Sequence, residues 1–409
     1  MGDLVQGCFP PQPIPASADE GWPTAFRPPW SREQRLWWLL WSRCAGVGWV
    51  RLRTLAQVSG DLASAWLWPP EAFVALPGWH AGLLPELEAF RRHWGAAPLT
   101  RLGRDPAADR RVLLPGDPRW PQGLADHQGV RPPLALWWCG RGSLWPVLAR
   151  GRAVAVVGTR RPSSHGLAMA RSLGLALARA GWPVLSGLAE GIDGAAHAGC
   201  LSGGGLPVGV LGTPLERVYP RHHAALQAEV GRRGLLISEQ PPGGAVRAGH
   251  FAQRNRLLVA MAAAVVVVEC PPGSGALHSA SHAWERGLPL WVVPADAGRA
   301  SALGSNRLLG MGATPLLTPE DLLSSLGPGP LAAAGPVRPA GGSQVPAGGL
   351  EPGQQRLLRA LGGGAGLEDL SLALGEAPAR LAAELLELEL AGLVRAEPGL
   401  RWHPCGGFS

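Results

Sequence analysis

The chain contains no lysine: all 37 of its Lys/Arg positions are arginine. A planar fork suits phosphate oxygens, but GC-biased coding, which also enriches Ala, Gly and Pro, is the simpler reading. Tyrosine is as scarce, with Tyr219 alone among 409 residues. The six cysteines (Cys8, Cys44, Cys139, Cys200, Cys270 and Cys405) form no C-x-x-C pair. That spacing argues against a zinc site or a disulfide framework and fits a reducing compartment, so a cytoplasmic location is expected. No apolar run approaches the roughly 20 residues that span a bilayer. The run Ala262 to Val268, with Ala260 and Met261 before it, reads as a buried strand and its approach. The N-terminus has no basic segment followed by an apolar stretch, so no secretory signal is expected.

Charge is scarce too, at 16% of residues, against 46% that are hydrophobic. The net charge is +7. Residues 1–150 carry 16 Arg against 12 acids, residues 151–325 carry 15 against 10, and residues 351–409 reverse the sign with 5 against 8. The excess favours a polyanionic partner only weakly. No basic run forms an arm or tail, so a grip on nucleic acid has to come from a shaped site.

Composition and periodicity divide the chain. Residues 1–30 are rich in Pro and lack a period, which predicts a disordered lead-in. Residues 31–100 read as a small helical domain, with a wide apolar face in Arg35-Leu36-Trp37-Trp38-Leu39-Leu40-Trp41. Its loops Gly46-Val47-Gly48 and Leu76-Pro77-Gly78 suit a SAM or helix-hairpin-helix-like unit presenting backbone N–H groups to phosphate. Since Trp49 rather than a basic residue follows, glycine caps on plain helices are the preferred reading. The tryptophan clusters (Trp37, Trp38, Trp41; Trp66, Trp68; Trp137, Trp138) are expected to be core. Residues 326–350 are Gly, Pro and Ala with hardly any charge, a linker composition. Residues 351–403 give helices near Leu357-Leu358, Leu367–Leu374 and Ala379–Leu390, then a short hairpin, which predicts a winged helix. Its net −3 charge favours protein contact over duplex DNA.

Between these parts, residues 101–325 alternate strand, loop and helix. Short apolar strands are expected at Ala153–Val157, Trp182–Ser186, Leu206–Leu211, Leu235–Ser238, Val265–Glu269 and Leu288–Val293, buried on both faces. Helices are expected at Leu167–Ala180, Ala224–Arg232 and Arg256–Ala263. Repeated βα units predict an α/β fold, a Rossmann-like, doubly wound, mostly parallel sheet. Ligands then lie beyond the carboxyl ends of the strands, at helix N-termini. The loops there are Gly158-Thr159-Arg160-Arg161-Pro162-Ser163-Ser164, Ser186-Gly187-Leu188-Ala189-Glu190-Gly191-Ile192-Asp193, Phe251-Ala252-Gln253-Arg254-Asn255-Arg256 and Pro271-Pro272-Gly273-Ser274-Gly275. Glycines permit close backbone approach, Asp193 sits where an N-cap is wanted, and the arginines supply charged forks. Four such loops on one rim predict a phosphate site.

The run GTR with Ser164 and Gly166, then SGLAEGIDGAAH, VYP, SEQPPG, RNR, SGAL and GSN, in this order, resembles the DprA/Smf family of DNA-processing proteins, most densely over residues 150–320. The resemblance implies an extended Rossmann-like domain with accessory N-terminal and winged-helix domains. It implies a non-enzymatic protein that binds single-stranded DNA, usually as a homodimer. It also implies delivery of incoming strands to the RecA recombinase during natural transformation. The family's phosphate pocket maps to Gly158, Thr159 and Arg160; Ser186 and Gly187; Arg254 and Arg256; and Ser274 and Gly275. Gly191, Asn255 and Gly273 join them from the same loops. No cofactor, metal or membrane contact is implied. The chain departs from the family pattern at Thr159 (serine), Ala252 (proline), Gln253 (often lysine) and His278-Ser279 (an apolar residue and threonine). Pro294-Ala295 likewise replaces Pro-Gly. These put affinity in question more than fold.

Rival readings are weaker. A dinucleotide enzyme needs G-x-G-x-x-G after the first strand, where GTRRPS stands. A nucleotide-phosphate hydrolase resembling the phosphoribohydrolases is the main alternative, but PPGSGALHS lacks their glutamate, and Glu285 lies further along. His278 and His282 lack the glutamate of H-E-x-x-H. Asp193 and His197, one helical turn apart, read as a cap and a packed side chain.

Overall fold

The computed structural model describes residues 29–103, 111–124, 132–332, 352–362, 364–390, 393–397 and 401–404. The expected disordered lead-in, up to residue 28, and the expected linker from residue 333 lie outside the described residues. Packing divides the chain into two units, Met1–Ala332 and Ala333–Ser409.

The first unit is built on a nine-stranded sheet. Its strands are β1 (Val112–Leu113), β2 (Leu136–Gly140), β3 (Ala153–Val157), β4 (Val184–Ser186), β5 (Pro207–Leu211), β6 (Leu235–Ser238), β7 (Ala262–Val267), β8 (Leu290–Val292) and β9 (Thr314–Pro315). They lie in the order β1-β2-β6-β5-β4-β3-β7-β8-β9. Strands β3 to β9 pair in parallel, and β2 runs antiparallel to β6. All five residues of β3 and of β5 are buried, as a sheet covered by helices on both faces requires. Successive residues of β3 alternate between the two cores. Ala153, Ala155 and Val157 enter one that includes Leu257 and Ala280. Val154 and Val156 enter the other, with Leu173, Leu177 and Ala196. This is the extended Rossmann-like, mostly parallel architecture that the alternating βα pattern implies. The sequence reading missed β1, β2 and β9. Two of these have only two residues, and β2 carries the Trp137-Trp138 pair assigned to packing.

From β3 the chain steps outward through β4, β5 and β6, then crosses to put β7 on the other side of β3. Connections leave in opposite directions at that point, which opens a crevice beyond the carboxyl ends of β3 and β7. The helices Ser164–Arg179 and Ile192–Ser202 pack closely on the side of β3 and β4. A Cβ on Gly174 would collide with the Ala196 carbonyl, and one on Gly199 with the Arg171 carbonyl. Their close crossing holds the two loops that precede these helices.

The N-terminal helices, Arg32–Trp41, Trp49–Ser59 and Leu84–Trp94 among them, enclose an aromatic core. Trp37, Trp38, Trp41, Trp66 and Trp137 are buried, which leaves them unavailable to nucleic-acid bases. The Arg91 guanidinium lies 4.9 Å from the Phe73 ring and donates to the Trp68 and Ala65 carbonyls at 2.7 Å each. Arg51 donates to the Gly78 carbonyl at 2.7 Å and the Gly46 carbonyl at 2.6 Å. One guanidinium thus ties together the two glycine turns considered for phosphate. Residues 327–332, at the start of the expected linker, are held to the first unit. Trp182 Nε1 donates to the Gly327 carbonyl at 2.9 Å, and the Gly329 and Leu331 N–H groups reach the Ala180 and Gly181 carbonyls at 2.8 and 3.0 Å.

The second unit is a winged helix: helices Pro352–Leu361, Leu367–Leu374 and Pro378–Leu390, with β10 (Ala365–Gly366), β11 (Val394–Glu397) and β12 (Arg401–Pro404) in the order β10-β12-β11. Leu357, Leu361, Leu370, Leu381, Leu385 and Trp402 form its core.

Adding one methyl group at the helix crossing tests this packing. Gly174→Ala and Gly199→Ala are each expected to cost about 1–3 kcal/mol, read as a lowered midpoint in chemical denaturation. Unchanged midpoints for both would contradict the close crossing.

Candidate nucleic-acid interface

The loops singled out from sequence meet at the β3–β7 crevice and are wired to one another. The Thr159 N–H donates to the Glu269 carbonyl at 2.7 Å, and the Ile192 N–H to the Thr159 carbonyl at 3.2 Å. Asn255 Nδ2 donates to the Gly275 carbonyl at 2.9 Å. Arg254 donates to the Val210 carbonyl at the end of β5, and its guanidinium lies where a side chain on Gly187 would be. Gly191, at φ +82°, faces the Thr159 carbonyl at a spacing that admits no Cβ. Arg160, Ser186, Arg254 and Ser274 therefore share one edge of the sheet, at two depths.

The lower layer is buried and already engaged. Ser186 is fully buried and its hydroxyl donates to the Val156 carbonyl at 2.6 Å. Thr159 is buried, and its Oγ1 accepts from the Arg161 N–H at 3.2 Å. Arg254 is 6% exposed and Asn255 is buried. Arg256 is half-buried and pairs with Glu239 at 2.7 Å. Ser186 and Arg254, expected to touch phosphate, instead lie beneath the surface, where the Ser186 hydroxyl and one Arg254 Nη each answer a main-chain carbonyl, while Arg254 Nε is buried without a hydrogen-bond partner. Asp193 is not the N-cap of its own helix, a position held by Gly191. Its Oδ2 accepts the Gly187 N–H at 3.0 Å. Burial pushes the Asp193 carboxyl up, opposed by the Arg254 guanidinium and the Gly187 and Ala189 N–H groups. Arg254 is pushed down by burial and held charged by Asp193.

The upper layer is accessible. Arg160, Arg161, Gly273 and Gly275 are exposed, and Ser274 is half-buried with its Oγ accepting the Ala276 N–H at 3.3 Å. The Arg160 guanidinium lies 5.9 Å from the Tyr219 ring and 5.7 Å from the Phe251 ring. Those two rings are 5.0 Å apart, and Tyr219 is 46% exposed. A cation beside a partly open aromatic pair is a ledge that offers charge to a phosphate and a π-face to a base. Sequence reasoning gave Tyr219 no chemistry beyond anchoring its loop, and carried Phe251 only as the first residue of the RNR loop. The available signals were a unique tyrosine and a phenylalanine three residues before RNR. It also missed Glu269, whose side chain turns back into the β3 loop.

Among the described residues no group of three or more His, Cys, Asp and Glu is placed to hold a metal ion, and no helix is long and apolar enough to cross a membrane. His282 Nδ1 lies 3.0 Å from Glu285 Oε2, so this histidine faces a carboxylate rather than a shared site with His278.

The profile described as DNA recombination-mediator protein A matches residues 111–327, and that of the DprA winged helix domain matches residues 342–399. Protein Smf of Synechocystis sp. is 32% identical over 403 residues, spanning 91% of this chain and 99% of that protein. The DNA processing protein DprA of Bacillus subtilis is 32% identical over 209 residues, 51% of this chain and 68% of that one. Among solved structures, DNA processing protein A from Streptococcus pneumoniae superposes with a TM-score of 0.58 at 24% identity, over 71% of this chain and 96% of that one. That likeness is one of fold.

The buried layer carries a titration signature. Burial pushes the fully buried His197 imidazole down to about 3, against about 6.5 in an unfolded chain. Between those values the unfolded state binds the extra proton, so stability falls as pH drops from about 6.5 towards 3, by up to about 1.4 kcal/mol per pH unit. Denaturation of the parent and His197→Leu from pH 7 to 4 checks this: the variant is expected to have the shallower dependence. Equal slopes would contradict it.

Proposed function

The chain belongs to the DprA/Smf family of DNA recombination mediators, and from that membership we propose that it is a non-enzymatic protein that grips single-stranded DNA at the β3–β7 crevice. In this reading it protects incoming strands in the cytoplasm and, as a homodimer, helps load a RecA recombinase onto them during natural transformation. One observation carries the binding role: an exposed guanidinium, Arg160, set against the Tyr219–Phe251 pair at the sheet's carboxyl edge. A duplex keeps its bases stacked on one another and offers such a ledge only its phosphates. A single strand can place a base on the rings and a phosphate on the arginine together. The glycine turn at Gly273–Gly275 lets a backbone pass close by, while Gly191 packs against the loop after β3. Gly158, Thr159, Ser186, Gly187, Arg254 and Asn255 serve as the floor that fixes these turns, and Arg256 holds Glu239.

The hydrolase alternative gains nothing from the geometry. Glu285 ends the helix Ala276–Glu285, so at 1.5 Å per residue it lies roughly 13 Å from the helix start that faces the crevice.

Binding of a fluorescent thymidine oligonucleotide tests the proposal. Single strands are expected to bind more tightly than duplex of equal length, with a log–log salt slope near −0.7 per neutralised phosphate. Tyr219→Ala and Phe251→Ala should each cost about 1–3 kcal/mol, or roughly 5- to 150-fold in Kd. Arg160→Glu should weaken binding and lower the salt slope, and the fold should survive because all three side chains are at least partly exposed. Unaltered affinity in all three variants would reject the site. Release of free base from nucleoside monophosphates would reject the non-enzymatic reading.

A further inference from the structure

We infer that Glu269 is a resident anion: its carboxylate takes the place a ligand phosphate would occupy at the first helix N-terminus of the sheet, closes that place to mononucleotides, and positions Arg160. In doubly wound folds the helix after the first strand of the crevice offers unpaired N–H groups and a positive dipole end to anions. Here that helix is Ser164–Arg179, 16 residues long, with Ser163 as its N-cap.

The seat is filled from within. Glu269 follows β7 and is 2% exposed. Its Oε1 and Oε2 accept the Ser163 N–H at 3.2 and 3.1 Å, and Oε2 accepts the Ser163 hydroxyl at 2.7 Å. Ser163 Oγ in turn accepts the Gly166 N–H at 3.1 Å, which relays the negative charge into the first turn. The carboxylate lies so close to that turn that a Cβ on Gly166 would collide with Oε2. This charge-assisted set is what a phosphate oxygen would otherwise receive.

The same residue pins the loop at both ends. Its carbonyl accepts the Thr159 N–H at 2.7 Å, and its side chain holds Ser163. Arg160 lies between the pins, so Glu269 acts as a positioning residue for the guanidinium beside Tyr219 and Phe251. With the inner seat closed, a phosphate meets the outer ledge, where a polymer can run past without its chain end being enclosed.

The Arg160 part rests on the proposed single-strand binding; the anion seat does not, and the experiment separates them. Thermal midpoints of the parent, Glu269→Ala and Glu269→Gln are followed against inorganic phosphate and AMP, with chloride at matched ionic strength as control. Oligonucleotide affinity is measured in parallel. The expected result is a lowered midpoint for Glu269→Ala that phosphate raises saturably. Neither the parent nor Glu269→Gln, in which a neutral group fills the seat, should respond. Glu269→Ala should also bind oligonucleotide roughly tenfold more weakly, the equivalent of one misplaced charge-assisted contact. A Glu269→Ala midpoint no more sensitive to phosphate than to chloride, or saturable AMP binding by the parent, overturns the resident-anion assignment. Parental oligonucleotide affinity in Glu269→Ala overturns the positioning role. A parent that binds no oligonucleotide refutes the proposed function while the phosphate response still decides the seat. If Glu269→Ala folds only when purified in phosphate, the inference is supported. If it folds in neither buffer while Glu269→Gln folds normally, the inference fails.

Discussion

Where a doubly wound sheet reverses direction, two neighbouring strands send their loops to opposite faces and nothing in the backbone obliges those loops to meet. In this chain the requirement is met by Glu269. Its carbonyl and carboxylate reach from the end of β7 to Thr159 and Ser163 in the loop after β3. A buried carboxylate is tolerable only when donors meet it, and Ser163, the N-cap of the helix, supplies its N–H and hydroxyl. The charge that would be a liability in the core becomes the tie across the crevice. Beneath it, Arg254 and Asp193 do comparable work for the loops after β4 and β5, with the Gly187 turn folded against the guanidinium.

That wiring decides which groups remain for a ligand. The crevice has many polar atoms, but most of its lower ones already answer a main-chain partner. Ser186, Thr159, Arg254 and Asn255 stiffen the floor; in the proposed reading Arg160, the aromatic pair and the glycine turns are the working surface. A stiff floor would lose little conformational entropy if a strand settled on it, and on that proposal a small set of exposed contacts suffices.

The sheet was legible because its strands are continuous apolar runs separated by helix-forming segments. β3 and β6 fall on the expected residues. The loops were legible because glycines, hydroxyls and arginines recur after each strand. Depth was not. Whether Arg254 faces solvent or the Val210 carbonyl depends on where the RNR segment lies against β5, a contact across more than 40 residues that no local pattern encodes. For the same reason Tyr219 could not be linked to Phe251, nor Glu269 to Ser163, 106 residues away. Short edge strands such as β1 and β9 carry too few residues for a period, and the tryptophans of β2 hid its alternation.

The central claim is that a nucleic-acid strand lies on the Arg160–Tyr219–Phe251 ledge. Photocrosslinking of a single-stranded oligonucleotide carrying 5-iodouracil, followed by peptide mass spectrometry, reads the contact directly. The account predicts adducts on Tyr219 or Phe251, lost when excess unlabelled single strand competes. Adducts confined to the tryptophan-rich N-terminal helices or to the winged helix would contradict it.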